Sequence, residues 1–498
     1  MTENTATALL ALNDLDVLPN SAVSVESTEV GLVESGHRVA ILASSGSRII
    51  SGFEGESKAA GGRTLVLGPM NAANLDALRD LLPWLRPRPL GTRTSAGFGD
   101  RLGLATPGHV RALRAAGGGL APIFAQQSIR EIERTGRSPQ EVLDDATWGV
   151  FAEGWQEGFG ADADHLKTAH DVEACVAAGY SFFTFDPGEY VDDGADAAGA
   201  SALRAAFDDL PWQDLEDLPA DLKRRYLASA FEAEGHEVRF DDVSLARAVV
   251  KYGAAVAHVA RLYRHLQATM GQEDFEVEVS VDETERPTTH AQHAYISTEL
   301  RRLGVRWVSL APRYVGRFEK GVDYMGDVAG FEEDIEVHAA IARTVSPDGP
   351  YKLSLHSGSD KFSIYPAFVR QTRGLAHLKT AGTSCLEALR TVAALDPDLF
   401  REIYDFSRGR YEEDRASYHV SAQTDRVPDT VGDAELPALL EQFDAREILH
   451  VTFGSVLKEA RFRDRLMRLL AEHPGYYAAG LEKHFLRHLE PFANGGNR

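Results

Sequence analysis

Three histidines, His165, His356 and His377, each come at the end of a short run of β-type residues, in the stretches ADADH, YKLSLH and GLAH. Imidazole nitrogen and carboxylate oxygen together suit a borderline divalent metal such as Zn, Mn, Co or Ni. For a single histidine, a hydrogen-bonded structural role is the better explanation. Three histidines at strand ends instead favour a metal site, which a carboxylate should complete. Glu319 is the first choice for that further ligand, and Asp323 or His377 is the alternative.

Glu283 ends the strongly alternating run FEVEVSVDE and is the carboxylate that we expect to act as acid or base beside the metal. The alternative is that it caps the next helix or pairs with Arg286. Asp164 directly precedes His165. Because side chains alternate along a strand, only one of these two residues points inward unless the strand has already ended. The residues alone therefore give Asp164 a less definite role than His165.

The pentapeptide HLKTA occurs twice, at residues 165–169 and 377–381, and both copies fall where a strand is expected to end. A chance repeat is the alternative.

The stretch HSGSDK (356–361) follows another such strand, and its small residues are typical of sites that bind an oxyanion through backbone N–H groups and hydroxyls. A simple turn is the alternative here. We predict that an anionic substrate group binds at HSGSDK. The residues predicted to contact substrate are Lys167, Ser357, Ser359, Lys361, His377 and Lys379.

These residues lie close together if the strands that carry them form a barrel. From about residue 95, β-type runs alternate with amphipathic helical stretches, which is typical of β/α units around a parallel sheet. Eight runs are the number that closes a (β/α)8 barrel, in which the C-terminal ends of all strands meet on one face. The eight predicted strands are 95–104, 121–125, 161–166, 180–186, 275–283, 305–312, 351–358 and 374–380.

The sequence thus predicts an α/β fold, a TIM-type (β/α)8 barrel with three additions. Residues 1–90 are predicted to form a small α/β N-terminal extension. The barrel spans 91–395 and contains a mostly helical insertion, 192–272, after the fourth strand, because that segment is too long for one crossover. Residues 396–498 are predicted to form a C-terminal helical extension.

The composition of the chain limits the partners that it can bind and the compartment in which it is expected. The chain has 498 residues, of which 26% are charged, and its formal charge of −23 disfavours nucleic acid or an anionic membrane as a partner. Its two cysteines, Cys175 and Cys385, fall in predicted helices, which argues against a disulfide framework. Without a signal-peptide pattern or an apolar span of roughly 18 residues, we expect a cytoplasmic protein. The glycine spacing in GFGDRLG does not fit a dinucleotide-binding fingerprint. A homo-oligomer is one of the states that the sequence allows.

Seven segments are specific as a set: GFGDRLGLATPGH (97–109), PIFAQQSIRE (122–131), ADHLKTAHDV (163–172), FFTFDP (182–187), VDETERPT (281–288), GRFEKGVDY (316–324) and HSGSDKFSIYP (356–366). Together they resemble the tagaturonate epimerase family. The resemblance implies a metal-dependent barrel enzyme that interconverts the keto-uronates D-tagaturonate and D-fructuronate, with relatives acting on the ketohexoses tagatose and fructose. It assigns the metal to His165 and His356 with a further ligand around Glu319, and the acid/base pair to Asp164 and Glu283.

The implied reaction inverts C4 while the ketone is at C2, so the proton on C4 is not acidic. We expect retro-aldol cleavage of the C3–C4 bond followed by re-addition, with the metal as Lewis acid and a carboxylate shuttling the O4 proton. Two alternatives stay in view. One is another metal-dependent activity, such as a sugar aldolase or a ketose 3-epimerase. The other is a non-catalytic sugar-binding protein.

Overall fold

The structure, a computed structural model of the chain, describes residues 15–33, 38–345 and 349–495, together with residues 7, 10, 11 and 13. Parts of the predicted N-terminal and C-terminal extensions, among them residues 1–6 and 496–498, lie outside the described residues. Part of the N-terminal stretch that bears on a signal peptide lies there as well. None of the helices in the described part of the chain is long and apolar enough to cross a lipid bilayer.

An antiparallel five-stranded sheet, of order β1-β2-β3-β5-β4, precedes the barrel. The hairpin between its last two strands turns at Gly61 and Gly62, whose φ angles are +56° and +80°. Glycine tolerates this left-handed region because it has no Cβ, and a two-residue hairpin turn requires it. The elements are β1 (Val23–Val25), β2 (Thr28–Val33), β3 (Arg38–Ala43), α1 (Arg48–Gly52), β4 (Glu56–Ala60), β5 (Arg63–Pro69) and α2 (Ala72–Leu81).

Eight parallel strands then close into a barrel, which confirms the predicted fold class. Each predicted strand corresponds to one of these strands. The largest difference is in the first, which ends at Phe98 because the following GDRLG stretch turns away, with Gly103 at φ +75°. The barrel strands are β6 (Ser95–Phe98), β7 (Ala121–Ser128), β8 (Gly160–Leu166), β9 (Phe182–Phe185), β12 (Glu276–Ser280), β13 (Ser309–Ala311), β14 (Lys352–Leu355) and β15 (Ala376–Thr380).

Helices cover the outside of the barrel, and several begin where the sequence supplies a capping residue. Ser138, Thr168 and Thr289 each form a capping box, in which the cap side chain and the third helical residue satisfy each other's backbone N–H groups. The helices that follow barrel strands are α3 (Thr106–Ala116), α4 (Ile129–Thr135), α5 (Pro139–Ala152), α6 (Ala169–Ala178), α10 (His290–Arg302), α11 (Val328–Thr344), α12 (Tyr365–Thr372) and α13 (Thr383–Leu395).

The connection between the fourth and fifth barrel strands is the longest of the barrel. It contains α7 (Ala200–Asp208), α8 (Pro219–Leu227), a hairpin of β10 (Phe231–Ala233) and β11 (His236–Val238), and α9 (Asp242–Met270). The helix α9 has 29 residues and packs between α6 and α10. It therefore occupies the position of a barrel helix, and the predicted insertion 192–272 includes it.

The C-terminal helices return to the barrel. They are α14 (Pro397–Asp414), α15 (Phe443–Val451), α16 (Phe453–Lys458), α17 (Ala460–Glu472) and α18 (Pro474–Gly495). The last helix, α18, packs along α3, the first helix of the barrel. The two helices come so close that a Cβ atom at Gly108 would lie 2.5 Å from the Cβ of Leu481. The end of the chain is thus fixed beside the start of the barrel.

Candidate active site

The C-terminal ends of the barrel strands surround a pocket. Because all strands run in the same direction, residues distant in the sequence meet on this face. The pocket opens into a wider mouth that includes Arg313, Phe318 and Glu319. The residues predicted from the sequence that line the pocket are Asp164, His165, Glu283, His356, Ser357, Ser359 and Lys379.

At the floor of the pocket, the Lys379 ammonium group lies among three carboxylates. Its Nζ is 2.7 Å from oxygens of Asp162 and Asp164 and 2.9 Å from Glu278, and it donates a hydrogen bond to Thr184 at 2.7 Å. All of these side chains are buried. Burial alone would lower the pKa of Lys379, but the carboxylates outweigh it and raise that pKa well above its usual value. Lys379 is therefore a fixed cation.

Above Lys379, the side chains of His165, Asp282 and His356 converge. Asp282 Oδ1 lies 3.7 Å from His165 Nε2 and 3.3 Å from His356 Nδ1. Nε2 of His165 is buried and makes no hydrogen bond to any described residue. His165 has a φ of +56°, and the pairing of β8 is irregular between Ala163 and Leu166. This local break in the strand lets Asp164 and His165, although adjacent, both face the pocket.

A carboxylate lies behind each of the two histidine rings. His165 Nδ1 donates to Asp164 at 2.8 Å, and His356 Nε2 donates to Glu278 at 2.5 Å. The remaining ring nitrogens therefore point lone pairs towards Asp282 when the rings are neutral. Burial would lower the pKa of His165, but Asp164 outweighs it and raises that pKa well above its usual value. The pKa of His356 is also raised against its burial, by Asp282 and Glu278. The space between the rings thus favours positive charge.

Glu283 lies at the rim of the pocket. Its carboxylate accepts a hydrogen bond from Arg130 at 2.9 Å, and more than a third of each side chain is exposed. Burial would raise the pKa of Glu283, but the nearby His165 and Arg130 outweigh it and lower that pKa. Glu283 is therefore ionised and able to accept a proton, and it is held less rigidly than the carboxylates at the floor.

The HSGSDK loop contributes its two serines to the pocket but not its lysine. Ser357 Oγ accepts a hydrogen bond from Lys320 Nζ at 2.7 Å. Lys361 is buried instead, and its Nζ donates to the backbone carbonyls of Glu319 at 2.8 Å and Ser359 at 3.1 Å. Burial lowers the pKa of Lys361 to about 8. Lys361 thus holds the loop, and Lys320 is the lysine that reaches the pocket beside it.

The carboxylates expected to complete the metal site lie elsewhere. Glu319 accepts hydrogen bonds from the backbone N–H of Ser421 at 2.8 Å and from its hydroxyl at 2.7 Å. Asp323 accepts from the backbone N–H and hydroxyl of Ser363 at 3.2 and 3.0 Å. Both side chains are engaged by neighbouring segments because the loop that carries them folds outward after β13. Asp282, rather than Glu319, is the carboxylate beside the two histidines.

The two HLKTA copies lie at different depths. In the first copy the strand ends at Leu166, and Lys167 turns away to lie 3.7 Å from Asp186, beside an adjoining pocket that shares His165 and Glu283 with the first. In the second copy the residues HLKT lie within β15. His377 is therefore buried below the pocket, with its Nδ1 2.9 Å from Ser95 Oγ, while Lys379 reaches the pocket floor. The same residues have different roles because the two strands end at different points.

Asp162, Glu278 and Asp282 are not among the site residues selected from the sequence. A signal for Glu278 is present in the run FEVEVSVDE, where glutamates alternate with valines. On a barrel strand the outward side chains pack under apolar helices, so the acidic set must face inward. The alternation in ADAD has the same meaning for Asp162. Asp282 follows the end of its strand, and alternation gives it no direction.

The C-terminal extension completes the wall of the pocket through Tyr418 and His450. It also holds the HSGSDK loop from outside. Asp360 in that loop lies 2.8 Å from Arg446 and accepts a hydrogen bond from His484 at 2.8 Å. Both partners belong to C-terminal helices. The barrel alone therefore does not form the complete pocket.

Comparisons with known proteins agree with this architecture. A family model described as tagaturonate epimerase (UxaE) matches residues 20–492. The chain belongs to the tagaturonate epimerase family. Membership makes the protein an epimerase, an enzyme of the isomerase class. The tagaturonate/fructuronate epimerase of Thermotoga maritima is 46% identical over 422 residues, which cover 84% of this chain and 85% of the relative.

Solved structures of a family member have the same fold over nearly the whole chain. A glycerol-bound crystal structure of the fructuronate-tagaturonate epimerase from Cohnella laeviribosi has a TM-score of 0.90 and 37% identity, with 97% of both chains covered. The native crystal structure of the same enzyme has a TM-score of 0.89 and 36% identity over 99% of both chains. The extensions are thus common to this chain and to the epimerase from Cohnella.

We predict that Lys379→Met destabilises the protein strongly, because it leaves Asp162, Asp164 and Glu278 buried without their cation. Loss of one partner of a buried ion pair costs about 3–5 kcal/mol. Thermal unfolding should show a lower midpoint than that of the wild type. The double variant Lys379→Met with Asp162→Asn is the control, and it should recover part of the loss because one stranded charge is removed. A single variant that unfolds at the wild-type temperature would contradict this role.

Proposed function

We propose that this family member interconverts D-tagaturonate and D-fructuronate by inverting C4, with a divalent cation held by His165, Asp282 and His356. The single observation that carries the proposal is the convergence of these three side chains at the C-terminal face of the barrel. The relative from Thermotoga maritima is a tagaturonate/fructuronate epimerase. Glu319, expected as a ligand from the sequence, is replaced by Asp282 in this proposal.

The donor set suits a borderline divalent metal such as Zn, Mn, Co or Ni, since it combines two imidazoles and a carboxylate. Nε2 of His165 is a buried atom that makes no hydrogen bond to a described residue. Asp164 and Glu278 bind the outer nitrogens of the two rings, an arrangement that orients metal-ligating histidines in general. A cation bound here would act as a Lewis acid and stabilise negative charge that develops on oxygen.

The chemistry follows from the positions of the functional groups in the substrate. C4 is not adjacent to the C2 ketone, so removal of its proton gives no stabilised anion. Breaking the C3–C4 bond does give one, because the electron pair moves to C3 and is delocalised onto the C2 oxygen. The C4–C6 fragment becomes an aldehyde, rotates and presents its other face. C3 then adds to that face, and the C4 epimer results.

We assign the proton transfer at O4 to Glu283. Glu283 takes the O4 proton as the C3–C4 bond breaks and returns it to O4 as the bond forms again. It is ionised, lies at the rim and, among the residues that the structure describes, is hydrogen-bonded to Arg130 alone. Asp164, expected from the family resemblance to share this role, is instead bound to His165 and Lys379. We assign Asp164 a positioning role.

We assign recognition of the substrate carboxylate to Lys320. Arg101 and Arg130 also line the pocket, but each is already paired, with Glu131 and Glu283 respectively. Lys379 is surrounded by carboxylates. Among the residues that the structure describes, no carboxylate lies within ion-pair distance of Lys320 Nζ, which is held at the pocket by Ser357 Oγ. Tagatose and fructose have the same C4 relation without the carboxylate, so we propose them as weaker substrates.

The direct test is to incubate metal-loaded enzyme with tagaturonate, with tagatose and with a ketose phosphate. We expect fructuronate from the first and slower formation of fructose from the second. His356→Ala should lose both the bound metal, measured by elemental analysis, and the activity. His170→Ala, whose ring lies in α6 outside the pocket, is the control and should lose neither. Accumulating three-carbon fragments would favour an aldolase, a C3 epimer would favour a ketose 3-epimerase, and no product would favour a binding protein.

Glu283→Gln separates a proton shuttle from a structural residue. The change keeps the shape of the side chain and removes its basicity, so turnover should fall by about 10²- to 10⁴-fold. Metal content, measured by elemental analysis, and the midpoint of thermal unfolding should stay close to those of the wild type. Near-normal turnover with a lower unfolding midpoint would instead identify Glu283 as a partner of Arg130 and remove it from the mechanism.

Lys320→Met tests the carboxylate assignment through a difference between substrates. Loss of one charged hydrogen bond costs about 1.5–3 kcal/mol, which lowers kcat/KM for tagaturonate by about 10- to 100-fold. The value for tagatose, which has no carboxylate, should change little. Lys58→Met is the control, because that lysine is exposed on β4 of the N-terminal sheet. Equal losses on both substrates would show that Lys320 does not bind the carboxylate.

A further inference from the structure

A second cluster of two histidines and an aspartate lies outside the barrel, between α10 and α11. It consists of His290, the first residue of α10, and Asp334 and His338 of α11. Asp334 Oδ1 is 3.0 Å from His290 Nε2 and 3.6 Å from His338 Nε2. The side chain of His338 is fully buried, that of Asp334 is 15% exposed and that of His290 is 35% exposed. The cluster therefore has one buried side and one side open to solvent.

Two polar atoms of the cluster have no partner. His338 Nε2 and Asp334 Oδ2 are buried and make no hydrogen bond to any residue that the structure describes. A buried polar atom without a hydrogen bond costs about 1–3 kcal/mol, so folded proteins rarely leave one unsatisfied. In this cluster, one imidazole nitrogen and one carboxylate oxygen are left unsatisfied within the same group. A bound cation would satisfy both types of atom.

A chain of hydrogen bonds behind His338 fits a metal ligand. His338 Nδ1 is 2.8 Å from His293 Nδ1, His293 Nε2 is 2.8 Å from the Tyr351 hydroxyl, and that hydroxyl is 2.7 Å from Ser297 Oγ. When each group donates to the next in this order, Nδ1 of His338 carries the proton and Nε2 presents a lone pair to the cluster. In the reverse order Nε2 carries a proton, and the Asp334 oxygen nearest to it lies 3.6 Å away. Only the first order leaves the lone pair of Nε2 free to bind a cation.

The spacing of the cluster also fits a small cation. Ligand atoms about 2.0–2.1 Å from a tetrahedral zinc ion are roughly 3.3 Å apart, and the two measured separations, 3.0 and 3.6 Å, lie on either side of that value. Among the described residues, no lysine or arginine is paired with Asp334. The half-exposed ring of His290 borders a surface groove that also contains His236. Solvent can therefore reach a fourth coordination position.

A third cluster, Asp360, His484 and His488, has the same composition but does not fit a cation. Asp360 lies 2.8 Å from the guanidinium of Arg446, which supplies positive charge already. His488 Nε2 accepts a hydrogen bond from the backbone N–H of Asp360 at 2.9 Å. These polar atoms are satisfied within the protein. Two clusters with the same residue types thus differ in whether they fit a cation. The cluster of His290, Asp334 and His338 fits one because it has unsatisfied atoms and, among the described residues, no paired lysine or arginine.

We propose that His290, Asp334 and His338 form a second divalent-metal site, of the kind that binds zinc, distinct from the site in the pocket. A metal there would tie the start of α10 to α11. The loop before α10 carries Asp282 and Glu283, and the loop before α11 carries Lys320. The site therefore braces the two loops from outside the barrel. This inference does not depend on the identity of the sugar substrate.

The test counts zinc ions in the full-length protein after loading and removal of excess metal. We expect two per chain in the wild type, one in His356→Ala and one in the double variant His290→Ala with Asp334→Asn. His236→Ala is the matched control, because His236 has a similar exposure and borders the same groove but faces Glu336. It should keep two. A double variant that binds as many zinc ions as the wild type would overturn the proposal.

A second measurement keeps the test decisive if the double variant does not fold. In crystals of the zinc-loaded wild type, anomalous scattering at the zinc edge should show a peak between His290, Asp334 and His338, separate from one near His356. In solution, zinc should also raise the unfolding midpoint of His356→Ala, in which the pocket site is removed. A crystal with no anomalous peak at the cluster would overturn the proposal, whatever the occupancy of the pocket.

Discussion

The ion pairs of Lys379 are the interaction on which the rest of the site depends. One ammonium group holds Asp162, Asp164 and Glu278 within 2.9 Å, and all four side chains are buried inside the barrel. These carboxylates belong to β8 and β12, and Lys379 belongs to β15, so the charges meet only when the barrel is closed. Two of the carboxylates in turn orient the rings of His165 and His356. Closing the barrel therefore also balances the buried charges and orients the two histidine rings.

The floor and the rim of the pocket differ in how firmly their groups are held. At the floor the charged side chains are buried and each has several partners, so their positions are fixed before a substrate arrives. At the rim Glu283 and Lys320 each have a single hydrogen-bond partner among the described residues. This difference suits a reaction in which a fragment must rotate between bond breaking and bond formation. The fixed groups at the floor can hold one half of the substrate, while the side chains at the rim can move with the other half.

The sequence predicts the barrel and most of the pocket because both follow from short-range patterns. Alternation and strand ends bring His165, Glu283, His356 and Lys379 to one face. The differences between the predicted and the observed positions have a different origin. β8 ends at Leu166, so Lys167 lies beyond the strand and outside the pocket. β15 continues to Thr380, so His377 stays within the strand and below the pocket. The loop after β13 runs outward, and its Glu319 is bound by Ser421. Glu319 is therefore not beside the histidines, and Asp282 takes that position. Such contacts between distant segments leave no local pattern.

The position of Tyr418 and His450 in the chain has a consequence for biosynthesis. Both residues line the pocket, yet both follow the last barrel strand, so the ribosome releases all eight strands before the segment that finishes the wall. Folding proceeds from the N-terminal side as the chain emerges. The residues of the barrel are therefore synthesised before those that complete the pocket wall. A translation product that stops soon after β15 lacks Tyr418 and His450 and has an incomplete pocket.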